Sequence, residues 1–228
     1  MMYEQINTTK DVLRERYILG AELVGKYDFP MLARATGNVE GLEPVCFNEM
    51  TKCKHPRESI GHFFINDDRF ECVWNNPEKY IELFKNFKWV CSPDFTCYGG
   101  MPLALRIYQT YKARALAFYL WNRGVNIIPT VGWNEPESWD WCFDGIPKNS
   151  IVAVSNNGIV GKESIEHYCT GYNEMIRRVQ PGKVVCIGRP LDVSKEVDII
   201  YLDNYSTQMR KRLEHGKQRL SEKKAKKD

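Results

Sequence analysis

Apolar residues in this chain gather in short runs separated by longer mixed stretches, a rhythm that predicts alternating strands and helices. His62-Phe63-Phe64-Ile65-Asn66, Lys88-Trp89-Val90-Cys91-Ser92, Val125 to Val131, Ile151 to Val154, Val184-Val185-Cys186-Ile187 and Val197 to Leu202 read as strands. Each is brief, apolar and bounded by turn-forming residues. Helices are predicted between them, over Glu78 to Phe87, Pro102 to Arg123 and about Glu163 to Val179. Asn76 and Pro77 suit the cap and first position of the first helix, and Gly124 stops the second. Pro136 to Phe143 reads as a short, tryptophan-rich helical piece. Ahead of this rhythm stand a helical pattern over Lys10 to Tyr27, with Leu13, Tyr17 and Ile18 in register, and a loop from Gly37 to Pro44.

The alternation repeats about five times, and several strands are continuously apolar, as expected when both sheet faces are covered. The predicted class is α/β: a mostly parallel sheet with flanking helices, either an open doubly wound sheet or an incomplete β/α barrel. At 228 residues the chain is a little short for a full eightfold barrel, which usually needs about 250. The expected organisation is a helical extension over 1–40, an α/β domain over 41–208 and a basic tail over 209–228.

Composition narrows the class. A hydrophobic fraction of 43% with 12% aromatics belongs to a chain with a packed core. No apolar run approaches the roughly 20 residues that span a bilayer, and the first residues lack the pattern of a signal peptide. A cytoplasmic protein without membrane contact is expected, its eight cysteines reduced. Charge is uneven. The tail from Met209 holds nine of the 32 basic and three of the 29 acidic residues, a net of +6 that leaves −3 on the rest. It reads as a solvated terminal helix or as a tether for nucleic acid or an acidic partner. No aromatic residue interrupts it, so base stacking there is not expected.

Cys46, Cys53, His55, His62 and Cys72 fall close together and are zinc-type ligands, but their spacing matches no standard finger. Packed thiols and ordinary histidines are the plainer reading, so no metal is expected, and no cofactor is specified.

In both candidate architectures chemistry sits beyond the carboxyl ends of the parallel strands. Those ends carry Asp67 and Asp68, Asp94, the trio Trp133, Asn134 and Glu135, then Ser155, Asn156 and Asn157, then Arg189, then Asp203 and Asn204. Asp94 lies in a loop stiffened by Pro93, Gly99, Gly100 and Pro102, where a carboxylate can act as base, nucleophile or ligand. Asp67 is its candidate partner across neighbouring strands, and Glu135 a third carboxylate. Tyr98 and Trp133 are candidates for stacking on a base or sugar. The Ser155-Asn156-Asn157-Gly158 loop and Arg189 are candidates for holding phosphate. Each has a plainer structural reading, as cap, hydrophobic cover or turn. The G-x-S-x-G, H-E-x-x-H, G-x-G-x-x-G and P-loop signatures are absent.

Several runs in order resemble a known family. They are His62-Phe63-Phe64-Ile65-Asn66-Asp67, Trp74-Asn75-Asn76-Pro77, Ser92-Pro93-Asp94-Phe95, Ile128-Pro129-Thr130-Val131 with Trp133, and Cys142-Phe143-Asp144-Gly145-Ile146-Pro147. The family, catalogued as domain of unknown function 4417, occurs in bacteria, their phages and mobile elements. The resemblance covers roughly residues 40–190 and implies a cytoplasmic, mobile-element setting without bringing an established activity. Where the family pattern has a Ser-Thr pair, this chain has Ser155-Asn156, which leaves no hydroxyl at the second position.

Two functional readings follow. One is a hydrolase acting on a nucleotide or nucleic acid through Asp94 and Asp67, with Glu135 in support. The other is a non-enzymatic module that binds a nucleotide, nucleic acid or host protein for replication or counter-defence.

Overall fold

The computed structural model describes residues 11–211, 213 and 214. Most of the basic tail lies outside them. The described chain opens with a 3-10 turn, Glu15–Ile18, and an antiparallel hairpin of β1 (Leu23–Val24) and β2 (Phe29–Pro30). Then come β3 (Glu43–Cys46), β4 (Ser59–His62), α1 (Glu71–Asn75), α2 (Ile81–Lys85) and β5 (Trp89–Cys91). They are followed by α3 (Leu103–Asn122), β6 (Ile127–Ile128), β7 (Ile151–Ser155), α4 (Lys162–Val179), β8 (Lys183–Ile187) and β9 (Ile199–Leu202).

Strands β3-β4-β5-β6 form one parallel sheet and β7-β8-β9 another. A parallel bridge between Thr130 and Ala153 joins them, with Val131 N–H donating to Ala153 O and Ala153 N–H to Pro129 O, both at 2.8 Å. The seven parallel strands therefore lie side by side in chain order without reversal. A doubly wound sheet needs a reversal at its switch point, so this is the strand order of a barrel, left open.

Burial agrees. Val90, Ile127, Val152, Val154, Val184 and Cys186 point to the face that the helices cover, where they meet Val73, Phe84, Leu116, Tyr172 and Met175. Their neighbours Ile60, Cys91, Ile128, Ile151, Ala153, Val185 and Ile187 point to the other face, which Ala35 and Val39 cover. Helices on a single face are what right-handed crossovers in one direction produce. Pro44 sits in β3, at the sheet edge, where its missing N–H removes no ladder bond.

The long elements stand where the pattern puts them. The helix expected over Lys10 to Tyr27 does not form within the described residues. Arg14 and Gly20 are left-handed at φ +60° and +77°, which breaks the register on both sides of Tyr17. Tyr17 is fully buried, packs edge-on to Trp74 at 5.2 Å and donates its hydroxyl to Trp74 O at 2.9 Å. Tertiary contact decides this segment. Leu32, Ala35 and Val39 are also buried, so residues 11–40 build the core.

The strand expected at 62–66 lies earlier, at β4, because Phe63 and Phe64 leave the sheet through a tight turn closed by Ile65 N–H on Phe63 O at 2.7 Å. Residues 43–46, expected to belong partly to a loop, form β3. Asn76 makes no side-chain cap bond, and the helix expected after it divides into a 3-10 turn, Pro77–Tyr80, and α2.

The zinc-type residues diverge. Cys53 Sγ meets Ser59 Oγ at 3.5 Å, and His55 and Cys72 are exposed. His62 is fully buried, accepts Phe64 N–H at Nδ1, and is held neutral by burial, its pKa lowered to about 4. Among the described residues no three His, Cys, Asp or Glu side chains converge on a metal-sized site. No described helix is long and apolar enough to cross a membrane.

Candidate functional site

A cavity of about 310 Å³ opens at the carboxyl ends of β5, β6 and β7, on the helix side of the sheet. Pro93, Asp94, Phe95, Thr96 and Cys97 leave β5 to form one wall. Thr130 to Asn134 leave β6 to form the next, and Ser155 closes β7. Gln109, Thr110, Ala113 and Arg114 face it from α3, and Tyr168 from α4.

The strand ends are tied together first. Thr130 N–H donates to Ser92 Oγ at 2.7 Å, and Thr130 Oγ1 donates back to Ser92 O at 2.6 Å, both residues buried. This reciprocal pair locks β5 to β6 just before Asp94 and Val131 diverge. Asp94 then sits half-buried in the cavity wall, with Gly132 beside its Oδ1. Burial disfavours its charged form, and the charge of Asp67 adds to that. The Arg114 guanidinium opposes both, and the net result pushes the Asp94 carboxyl up to about 7. This carboxyl can therefore hold or release a proton near neutral pH.

Asp67 has another job. Its carboxylate accepts Thr96 N–H at 2.9 and 3.1 Å, Thr96 Oγ1–H at 2.7 Å and Gln109 Nε2–H at 3.4 Å. It pins the loop that carries Asp94 and stands behind the cavity wall. Glu135 also lies outside the lining. Its Oε2 is 3.5 Å from Arg106 Nη1, and its Oε1 occupies the space where a side chain on Gly99 would stand. Arg106 is shared with Glu137, so two carboxylates sit on one guanidinium.

The structure brings Trp133 and Ser155 to the cavity together with Asp94. Trp133 packs on Tyr168 at 5.0 Å and lies against Gly171 of α4. Ser155 Oγ donates to Ile187 O at 3.0 Å and accepts Asn157 N–H at 3.1 Å. Tyr98 is 57% exposed and does not line the cavity. Asn156 is buried and clasps the turn after β8, giving Nδ2–H to Arg189 O and accepting Arg189 N–H. Asn157 accepts from Asn204, Gly158 is exposed, and Arg189 donates to Ile159 O at 3.1 Å. The loop expected to cradle phosphate is thus held by its own neighbours.

Sequence reasoning missed Arg114. It is 2% exposed in the middle of α3, and its Nε, Nη1 and Nη2 donate to the carbonyls of Asp144, Thr130 and Cys142 at 2.9, 3.1 and 2.8 Å. Burial lowers its pKa to about 10, so it stays charged at neutral pH. Its signal in the sequence was a lone arginine in the otherwise apolar run from Ala113 to Leu120. Cys97 and Cys142 also line the cavity, and burial raises their thiols to about 11 and 12. No histidine lines it, so a Cys–His nucleophile pair does not form there among the described residues.

Comparison with known proteins places these residues in a family. The chain is 35% identical over 147 residues to the "Gene 1 protein" of Mycobacterium phage L5, which covers 64% of each protein. It is 35% identical over 129 residues to the "Gene 1 protein" of Mycobacterium phage D29, covering 56% of this chain and 48% of that one. The match thus spans roughly half to two thirds of the length of these relatives. No solved structure matches. The family model described as "Domain of unknown function (DUF4417)" matches residues 21–206, which include every strand from β1 to β9 and the whole cavity lining, and the chain belongs to that family.

Proposed function

We propose that this protein is a hydrolase acting on a nucleotide or nucleic acid, with Asp94 as its acid–base group. One observation carries the reading: a carboxyl whose pKa lies near 7 is held in a cavity at the strand ends. Ionised, Asp94 takes a proton from an attacking water. Protonated, it gives one to the leaving group. Trp133 supplies an aromatic wall on which a base can stack. Asp67 and Gln109 are positioning residues that hold the Asp94 loop.

Asp94→Asn tests this. The variant should fold and keep ligand affinity while losing about 10²–10⁴-fold in turnover. The wild-type rate should carry an inflection near pH 7 that the variant lacks. Turnover retained by Asp94→Asn would overturn the assignment.

A specific observation favours a second reading, a non-enzymatic nucleotide-binding module. Among the described residues Asp94 is the only carboxylate that lines the cavity, whereas many hydrolases use two. On that reading no substrate turns over, and Asp94 variants change affinity alone.

A further inference from the structure

We infer that the cavity seats a terminal phosphate on Arg114, so that its ligand is a nucleotide whose phosphate ends there. The inference rests on the proposed nucleotide-class substrate and names the group that holds it. A guanidinium carries five N–H donors. Three of those on Arg114 are spent on the carbonyls of Asp144, Thr130 and Cys142, and two are uncommitted. The residue lines the cavity and is buried.

A buried charge ordinarily has an opposite charge bound to it. Asp94 and Asp144 are the carboxylates whose charge Arg114 feels, and among the described residues neither forms an ion pair with it. Arg114 is the one cation in the described lining. Arg106 and Lys112 lie outside it and are already paired, the first with Glu135 and Glu137, the second with Glu71. Lining hydroxyls donate elsewhere, Thr110 to Arg106 O, Thr130 to Ser92 O and Ser155 to Ile187 O. The carbonyls fix the guanidinium, and its two spare donors suit an oxyanion. In a nucleotide that oxyanion is the phosphate.

Depth decides which phosphate. A phosphate inside a strand carries a sugar on each side. A volume of about 310 Å³ is at the small end for ligand pockets, which run from roughly 300 to 1,000 Å³, and suits one nucleotide with its phosphate innermost. Asp94 shares the lining and makes no hydrogen bond to another described residue. Protonated, it can donate to a phosphate oxygen, and ionised, it repels one. Anion binding therefore takes up the proton that Asp94 otherwise loses. The groups that face Asp94 are Asp67 from the turn after β4, Arg114 from α3, and the thiols of Cys91 and Cys97 on its own strand and loop. Burial keeps both thiols neutral, so Asp94 is the described lining side chain that changes charge between pH 6 and 8.

Titration calorimetry of the full chain tests this with two kinds of probe. One is sulfate, whose own charge is constant between pH 6 and 8. The other is adenosine, guanosine, cytidine and thymidine 5′-monophosphates, each beside its nucleoside. Sulfate should bind about tenfold more weakly at pH 8 than at pH 6, and Asp94→Asn should bind it equally at both. At least one monophosphate should bind at least tenfold more tightly than its nucleoside. Arg114→Lys should lose at least tenfold in affinity for both anions. Arg189→Ala, which removes an exposed guanidinium resting on Ile159 O, should keep it. If Arg114→Lys lacks the cooperative urea transition of wild type, the Asp94 comparison decides alone. Absence of sulfate binding, affinity independent of pH in wild type, loss of the anion in Arg189→Ala, or no monophosphate preferred over its nucleoside overturns the inference. The two proposals fail separately. A monophosphate that binds in this way and is never turned over removes the hydrolase and leaves this inference standing. Asp94-dependent cleavage inside a strand, by a protein that fails these anion tests, does the reverse.

Discussion

Asp94 and Asp67 follow neighbouring strands, carry the same side chain and do opposite things. Four hydrogen bonds to Thr96 and Gln109 satisfy the Asp67 carboxylate, whereas burial beside that charge makes ionisation of Asp94 unfavourable. The consequence for stability has a definite sign. In the unfolded chain Asp94 ionises near its ordinary value of 3.8, and in the folded protein it ionises only near 7. The folded state therefore binds more protons between these values, and stability falls as pH rises through that window. Asp94→Asn removes the effect. The variant should be more stable than wild type at pH 8 by about 2 kcal/mol, a figure reduced for solvent access through the cavity. The difference should shrink toward nothing near pH 4. Urea unfolding at several pH values checks this, and a difference independent of pH would show that Asp94 titrates normally.

At the scale of elements, α3 and α4 make the site by different means. Helix α3 is buried from Lys112 to Leu120 and sends Arg114 through the core to three carbonyls, which is why it shows no amphipathic stripe. Helix α4 has an apolar stripe of Tyr168, Tyr172, Met175, Ile176 and Val179, and a glycine where Trp133 presses against it. A β-carbon on Gly171 would stand 2.1 Å from the Trp133 ring. Two effects of Gly171→Ala compete. Helix propensity favours alanine by about 1 kcal/mol, but overpacking a buried indole costs roughly 1–3 kcal/mol. Overpacking should win. The expected result is a lower Tm with altered tryptophan fluorescence, and an unchanged or raised Tm would mean that Trp133 yields without loss.

At the scale of the whole molecule, the segment before the first parallel strand is tied to residues more than a hundred positions away. Ile151 N–H donates to Ala35 O at 2.9 Å, Ala35 N–H to Ser150 Oγ at 3.0 Å, and Leu32 N–H to Gly145 O at 2.9 Å. Ala35 and Val39 also cover the sheet face that the helices leave bare. A chain beginning at residue 41 would expose that face and lose Tyr17 and Phe29 from the core. It should show no cooperative unfolding transition in urea where the full chain shows one. A sharp transition in the shortened chain would mean that residues 1–40 are a separable extension.

The run of apolar residues every few positions was enough to place α3, α4, β5 and β7 to β9 close to their observed bounds, because each is long or apolar enough to carry its own period, whereas the strand expected over Val125 to Val131 shrinks to Ile127–Ile128. The parallel class followed from that alternation, and the position of Asp94 followed from the rule that chemistry gathers at strand ends. Tyr17, Phe63 and Phe64 misled, since an aromatic side chain that packs in a turn has the same local signature as one in a helix or strand. Strand order, the choice of a single helical face and the partners of Asp67, Glu135, Asn156 and Arg189 were set by contacts between residues tens of positions apart. Arg114 is the clearest case: the apolar residues on either side mark its position, but its partners are remote in sequence, and only the carbonyls of Thr130, Cys142 and Asp144 in the folded chain make its burial possible.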